Sequence, residues 1–216
     1  NISALVYTTK KMKGVYIMAV NFSESRTKDN LMRAFAGESQ ARNRYTIAAA
    51  KAREDGMYAI ADIFIYTADQ ERAHAERFYD LLRSVSGETI HIDGTYPVDQ
   101  QENIAELLRA AEHNEHEEYE DVYQAFGDTA SEEGFHEAAS AFYQIAEVEH
   151  IHEERFGKLA KLLEEGTYYG GGSVNRWMCT NCGYIHEGNQ APKYCPVCRY
   201  KQGYFIPYEF ACYKGE

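Results

Sequence analysis

The stretch Asp69-Gln70-Glu71-Arg72-Ala73-His74-Ala75, matched further on by Glu149-His150-Ile151-His152, decides the reading of this chain. Each contains a Glu and a His three residues apart, a spacing that puts both on one face of a helix. That face ought to be apolar. Around Glu71, at alternating intervals of three and four, lie Ile60, Phe64, Thr67, His74, Phe78, Leu81 and Val85. Around Glu149 lie Ala138, Phe142, Ile145, His152 and Phe156. Stripes of this kind face the core of a helical bundle.

Two further stripes are interrupted in the same way. Leu31, Phe35, Ala41, Tyr45, Ala48 and Ala52 flank Glu38, and Ile104, Leu108, Ala111 and Val122 flank Glu115 and Glu118. Even a paired carboxylate loses several kcal/mol on leaving water, and these stripes contain no Lys or Arg to offset the loss. Two metal cations would. Glu38, Glu71, Glu115, Glu118 and Glu149 sum to −5, close to the roughly +4 to +6 of two iron-type ions. Neutral His74 and His152 complete a set of seven ligands.

The spacing supplies a further argument. Glu38 precedes Glu71 by 33 residues, Glu115 precedes Glu149 by 34, and in both cases a His follows three later. The chain reads as two copies of one helical hairpin, which is the ligand pattern of ferritin-like di-iron bundles. The third helix has the least certain register, because Glu112 to Glu120 is dense in acid. Glu115 follows from the repeat and Glu118 from its stripe, with Glu112 as the rival to Glu118. His113, His116, Glu117 and Glu120 read as solvated surface. Tyr45 and Tyr123 lie within two turns of ligand positions, as donors to ligating carboxylates or as plain core filling.

The helices are predicted over 27–55, 57–85, 100–126 and 135–165. A loop spans 86–99, and an interruption runs from Gly127 to Gly134 with Asp128 and Ser131 as possible caps. Residues 1–23 read as an extension outside the core fold, with a natural start near Met18. The bundle then takes 24–165, a flexible Gly-rich linker 166–173 and a small metal domain 174–216. The fold class is therefore an all-α four-helix bundle followed by a small four-cysteine domain with short β-strands. A net charge of −12 argues against a nucleic-acid partner, which wants clustered Lys and Arg. No apolar run approaches the ~20 residues needed to span a bilayer.

All five cysteines lie in the last domain. Cys179 and Cys182 form one CxxC knuckle, Cys195 and Cys198 another, and Cys212 is left over without a metal role. Four thiolates so spaced hold zinc or iron in a tetrahedral site. An odd count with no secretory signal fits metal ligation in a reducing, cytoplasmic compartment better than a disulfide framework. Trp177, Tyr184, Tyr194 and Tyr204 would crowd a small core, as in an electron-transfer module.

On these residues the chain resembles the rubrerythrin family. Ala34-Phe35-Ala36-Gly37-Glu38-Ser39-Gln40-Ala41-Arg42-Asn43-Arg44-Tyr45 is similar to its first-helix signature, as are Asp69 to Ala75 and the ExxEY of Glu115 to Tyr119. The two knuckles resemble those of a rubredoxin, with Cys-Gly-Tyr closing the first and Cys-Pro opening the other. The resemblance spans about residues 24–210. It implies a non-haem di-iron peroxidase that reduces hydrogen peroxide to water and protects against oxidative stress. It also implies two irons in the bundle and one in the four-cysteine site, with electrons reaching that site from rubredoxin or an NAD(P)H-dependent reductase. A head-to-tail homodimer is implied too, as is an exchange of Glu118 for His74 at one iron on reduction. One departure stands out: Arg199 follows the last ligand Cys, where free rubredoxins place Gly, which puts one backbone donor to sulfur in doubt. Two other readings share these residues, an iron-storage protein assembled as a large shell and a pure electron carrier.

Overall fold

The computed structural model describes residues 20–211. Met18 and the segment before it, and Cys212, lie outside the described residues. α1 (Arg26–Glu54) and α2 (Tyr58–Leu81) form one hairpin. α3 (Ile104–Glu117), a π-helical turn (Glu118–Val122) and α4 (Tyr123–Glu132) run on as one rod, which pairs with α5 (His136–Glu164). The result is the expected four-helix bundle. No described helix is long and apolar enough to cross a membrane.

The repeat seen in the ligands is also present in the backbone. α1 ends when Met57 N–H reaches back to Ala52 O (2.8 Å) over Gly56, which holds φ +74°. The α4–α5 turn repeats this, with Phe135 N–H on Ala130 O (2.8 Å) over Gly134 at φ +86°. Glycine enters this left-handed conformation without a Cβ penalty, which is why each helix stops there. The expected interruption at Gly127 does not occur. The helix continues through Gly127 to Glu132, and neither Asp128 nor Ser131 caps it; Asp128 instead accepts from Tyr143 Oη (2.6 Å). The start also moves, from residue 100 to Ile104, because Asn103 caps the helix by accepting from Glu106 N–H (2.9 Å).

The α4–α5 turn also caps α1 across the molecule. The Glu133 carboxylate accepts from Thr27 N–H (2.9 Å) and Thr27 Oγ1 (2.7 Å), satisfying helix-start donors that would otherwise be unpaired. Phe22, expected in the extension, packs edge-on against Phe135 at 5.2 Å, so the fold begins before residue 24.

Two apolar clusters fill the bundle. One gathers Tyr45, Ile60, Phe64, Leu108, Phe156 and Leu159, the other Leu31, Phe78, Tyr123, Phe142 and Ala146. On every helix the buried carboxylate lies between a residue of one cluster and a residue of the other. The polar site is thus a layer between two apolar ones.

The C-terminal module is a three-stranded antiparallel sheet in the order β2-β1-β3, with β1 Arg176–Cys179, β2 Ile185–Glu187 and β3 Phe205–Pro207. Trp177 is fully buried at its centre, while Tyr194 is exposed rather than part of this core. The Gly-rich segment before the module is anchored, not free. Tyr168 is buried and donates to Phe205 O (3.3 Å), Trp177 Nε1 donates to Tyr168 O (2.9 Å), and Gly170 bridges Gln190. The module docks on the α1–α2 turn, where Tyr204 stacks on Tyr58 at 4.3 Å. The approach is so close that a Cβ on Gly203 would lie 1.7 Å from Gly56 O.

Candidate metal centres

The bundle brings six of the seven expected ligands together. Glu38, Glu71, His74 and Glu149 form one group, and Glu71, Glu115, Glu149 and His152 the other. Glu71 and Glu149 belong to both because each turns one oxygen to either side. Toward His74 Nδ1 lie Glu149 Oε1 (2.9 Å), Glu71 Oε2 (3.4 Å) and Glu38 Oε2 (3.8 Å). Toward His152 Nδ1 lie Glu149 Oε2 (2.8 Å), Glu71 Oε1 (3.1 Å) and Glu115 Oε2 (3.6 Å). Two adjacent positions share two bridging carboxylates, and each has one further Glu and one His.

These atoms fit metal ions. Both oxygens of Glu71 and of Glu149, one oxygen of Glu38 and one of Glu115, and Nδ1 of both histidines are buried without a hydrogen-bond partner among the described residues. Orphaned buried polar atoms are costly and rare in folded proteins, and so many of them converging on two points are accounted for by a cation at each. The electrostatics agree. Burial, then repulsion from Glu149, raises the Glu38 carboxyl well above its usual range. Burial, then repulsion from Glu71, pushes Glu115 up to about 8. Contacts with the two histidines outweigh burial at Glu71 and lower it.

The two tyrosines are donors. Tyr45 Oη donates to Glu115, Tyr123 Oη donates to Glu38, and both tyrosines are buried. The bonds are reciprocal, each crossing from one hairpin to the other. Tyr45 follows Glu38 by seven residues, but Tyr123 follows Glu115 by eight. The π turn absorbs that extra residue and returns Tyr123 to the core face, as such insertions do near functional sites.

Glu118 opens this π turn and stands apart from both ligand groups. It is partly buried on the wall of a cleft of about 490 Å³, which is also lined by Gly37, Gln40, Tyr96, Asn114 and Tyr123. Burial, with the carboxylates of Glu38, Glu115 and Glu149 next, raises its carboxyl well above the usual range. Glu112 points elsewhere, to Arg109 Nη1 at 2.6 Å. His113, His116, Glu117 and Glu120 are exposed, as expected.

Sequence reasoning missed Gln70 and Arg155. Gln70 Oε1 lies 3.1 Å from His152 Nε2, and Arg155 Nη1 donates to Thr67 Oγ1 (3.2 Å) and to Gln70 Oε1 (3.4 Å). The available signal was an amide side chain, Gln70, placed directly before the ligand Glu71.

In the module all four thiols approach one point. Cys179 Sγ is 3.7 Å from Cys198 Sγ, and Cys182 Sγ is 3.6 Å from Cys195 Sγ. A tetrahedron with metal–sulfur bonds of ~2.3 Å has edges of about 3.8 Å, so the site fits one metal ion. The two knuckles are near copies. Cys179 N–H donates to Tyr184 O and Cys195 N–H to Tyr200 O, both at 2.8 Å. Gly183 N–H donates to Cys179 O (2.8 Å) and Arg199 N–H to Cys195 O (2.9 Å). Arg199 does not remove the backbone donor to sulfur, which is Tyr200 N–H on Cys198, as Tyr184 N–H is on Cys182. Arg199 takes φ +64°, the same left-handed turn that Gly183 takes at +77°. Against burial, the Tyr200 N–H and the Asn181 side chain hold the Cys198 thiol down to about 6. Burial pushes Cys179 up to about 12. Cys182 is exposed and Cys198 partly so, so one edge of this site meets solvent.

Four helices presenting paired Glu and Glu-x-x-His sets around two bridging carboxylates, joined to a four-cysteine module, define a ferritin-like di-iron carboxylate protein with a rubredoxin-like domain. More narrowly, the chain belongs to the rubrerythrin family: residues 29–160 match Rubrerythrin, and residues 177–206 match the rubrerythrin, rubredoxin-like domain. The rubrerythrin of Clostridium perfringens is 45% identical over 182 residues, 84% of this chain and 93% of its own. The nigerythrin of Nitratidesulfovibrio vulgaris is 31% identical over 186 residues, 84% of this chain and 86% of its own. A nigerythrin structure in a mixed-valence state superposes with TM-score 0.57 at 28% identity, covering 93% of this chain and 98% of that one. Rhodobacter capsulatus bacterioferritin, 18% identical, has a TM-score of 0.59 over 65% of this chain and 86% of its own, and shares the bundle fold.

Proposed function

We propose that this chain is a peroxidase that reduces hydrogen peroxide to water, H2O2 + 2e⁻ + 2H⁺ → 2H2O, at the bundle site, with electrons relayed through the four-cysteine site. One observation carries the reading: two adjacent metal positions share Glu71 and Glu149, beside a cleft large enough for a small substrate. Nigerythrin is described in mixed-valence, partially reduced and all-ferrous states, which supports a redox role for the matching site here. Glu38, Glu71, His74, Glu115, Glu149 and His152 would hold the two irons, which would supply the two reducing electrons.

The chain's own residues set the conditions for that chemistry. Glu71 and Glu149 fix the spacing of the two positions. Tyr45 and Tyr123 orient Glu115 and Glu38 and draw off part of their charge. Glu118 stands on the cleft wall, where burial raises its carboxyl above the usual range. His74, whose ring is 12% exposed, and Glu118 would exchange as the site changes charge, since a carboxylate suits the more positive state and neutral imidazole the less positive one. Phe64, Phe78, Phe142 and Phe156 keep water from the flanks.

The docking of the module supports a head-to-tail dimer. The module sits at the Tyr58 end of α2, and Glu71 and His74 follow thirteen and sixteen residues later. At 1.5 Å per residue that is about 20–24 Å along the helix, a long path for electrons within one chain. A partner subunit's module laid against the middle of the bundle shortens it. Electrons would enter from rubredoxin or an NAD(P)H-dependent reductase at the edge exposing Cys182 and Cys198.

The test is anaerobic. Iron-loaded protein is reduced, mixed with stoichiometric hydrogen peroxide and followed by stopped-flow absorbance. Rapid reoxidation with two electrons used per peroxide, and return of the ferric–thiolate absorbance, is the expected result. Reaction no faster than that of free ferrous ion would overturn the proposal in favour of iron handling or electron carriage.

A further inference from the structure

We propose that Gln70 and Arg155 are positioning residues that lock His152 in one tautomer and orientation, while Val148 at the matching place leaves His74 unlocked. The two halves of the repeated site then differ in which imidazole can move. This rests on the reading that the bundle cluster holds metal ions.

Gln70 precedes Glu71 as Val148 precedes Glu149, and Arg155 follows His152 by three as Arg77 follows His74. The ligands are thus duplicated, but their neighbours are not. A guanidinium carries only donors. Arg155 Nη1, 3.4 Å from Gln70, therefore requires the amide oxygen rather than the amide nitrogen at that place. That same oxygen lies 3.1 Å from His152 Nε2, so Nε2 carries the hydrogen and donates it. The lone pair is then on Nδ1, the atom facing Glu149, Glu71 and Glu115. Arg155 is itself held by Thr67 Oγ1 (3.2 Å) and lies 5.4 Å from the centroid of the Tyr66 ring. The chain Thr67–Arg155–Gln70–His152 thus fixes a ring that is fully buried.

Among the described residues nothing equivalent holds His74. Val148 has no acceptor to offer. Arg77 turns outward to Glu137 at 2.9 Å. Among the described residues no hydrogen-bond partner is found for His74 Nε2. A metal-ligating histidine normally has its other ring nitrogen tied, which sets orientation and affinity; here one of the two is.

The test uses the full chain loaded with cobalt(II) in the bundle. Paramagnetically shifted imidazole N–H resonances are followed by NMR as they exchange with solvent. One slowly exchanging N–H, from His152, is expected, with that of His74 exchanging fast. Gln70→Leu should abolish the slow signal and weaken one of the two bundle positions 10- to 100-fold in competition with a metal indicator, leaving the four-cysteine site unchanged. Gln70→Glu, which still accepts from both partners, should restore the slow signal. Val148→Gln should slow exchange at His74 and serves as the alternative variant if Gln70→Leu does not fold. A slow N–H that survives Gln70→Leu, equal weakening of both positions, or unchanged His74 exchange in Val148→Gln would each overturn the proposal. None of these readouts uses peroxide, so an inactive protein with the expected N–H pattern would sink the peroxidase reading and leave this one standing.

Discussion

Glu115→Gln tests whether this bundle carries destabilising charge that only metal relieves. Glu115 is 1% exposed, and burial together with repulsion from Glu71 pushes its carboxyl from 4.5 up to about 8. In the unfolded chain the group ionises near its usual value; in the metal-free fold it keeps its proton until about pH 8. The unfolded state therefore loses protons first, and the stability of the metal-free protein falls as pH rises through that window. A tenfold difference in proton affinity between the two states is worth about 1.4 kcal/mol, so the fall attributable to Glu115 is up to about 5 kcal/mol. At ~2–4 °C per kcal/mol for a chain of this size, the loss is on the order of 10–20 °C in Tm. Gln keeps an acceptor for Tyr45 but cannot ionise. Thermal unfolding of metal-free protein, followed by circular dichroism from about pH 5 to 8.5, should show wild type losing Tm faster than Glu115→Gln. With metal bound the trend should reverse, because metal competes with the proton and binds better as pH rises. Parallel metal-free curves for the two proteins would refute the reasoning.

Three further outcomes follow from the geometry. Glu71→Ala removes an oxygen from both positions and should empty the bundle of metal while the iron–thiolate absorbance persists, whereas Glu38→Ala should lower the bundle content toward one ion; metal analysis of the two variants separates bridging from terminal roles. Tyr123→Phe leaves a Glu38 oxygen without its donor and should cost ~1–3 kcal/mol, seen as a roughly 10- to 100-fold weaker metal affinity in a chelator competition. Arg199→Gly relieves a left-handed residue at φ +64° and should stabilise the Cys195–Cys198 knuckle by about 1 kcal/mol, measured as slower metal loss to a chelator; faster loss would mean that the Arg side chain contributes more than the turn costs.

The class of fold and six of the seven expected cluster residues were legible in the residues alone. Periodicity of three and four, interrupted on every helix by acid, leaves few alternatives to a metal-centred bundle, because the cost of burying those carboxylates is local and large. The CxxC pairs are equally local, since each knuckle is a short turn whose geometry is repeated. What was not legible there depends on register between helices. Glu71 and Glu149 face both ligand groups while Glu38 and Glu115 each face one, because α2 and α5 place their carboxylates between the two. The π turn at Glu118 is invisible to a stripe of threes and fours, since one inserted residue shifts every later position. It leaves Glu118 on the cleft wall and brings Tyr123 to Glu38. Gln70 could not be read as a partner of His152 because they lie 82 residues apart in sequence, and only the packing of α2 on α5 brings them together. The helix running through Gly127 is a similar case: in the packed rod, tertiary contacts outweigh a glycine's modest helix penalty of ~1 kcal/mol, and the chain stops only where Gly134 turns left-handed.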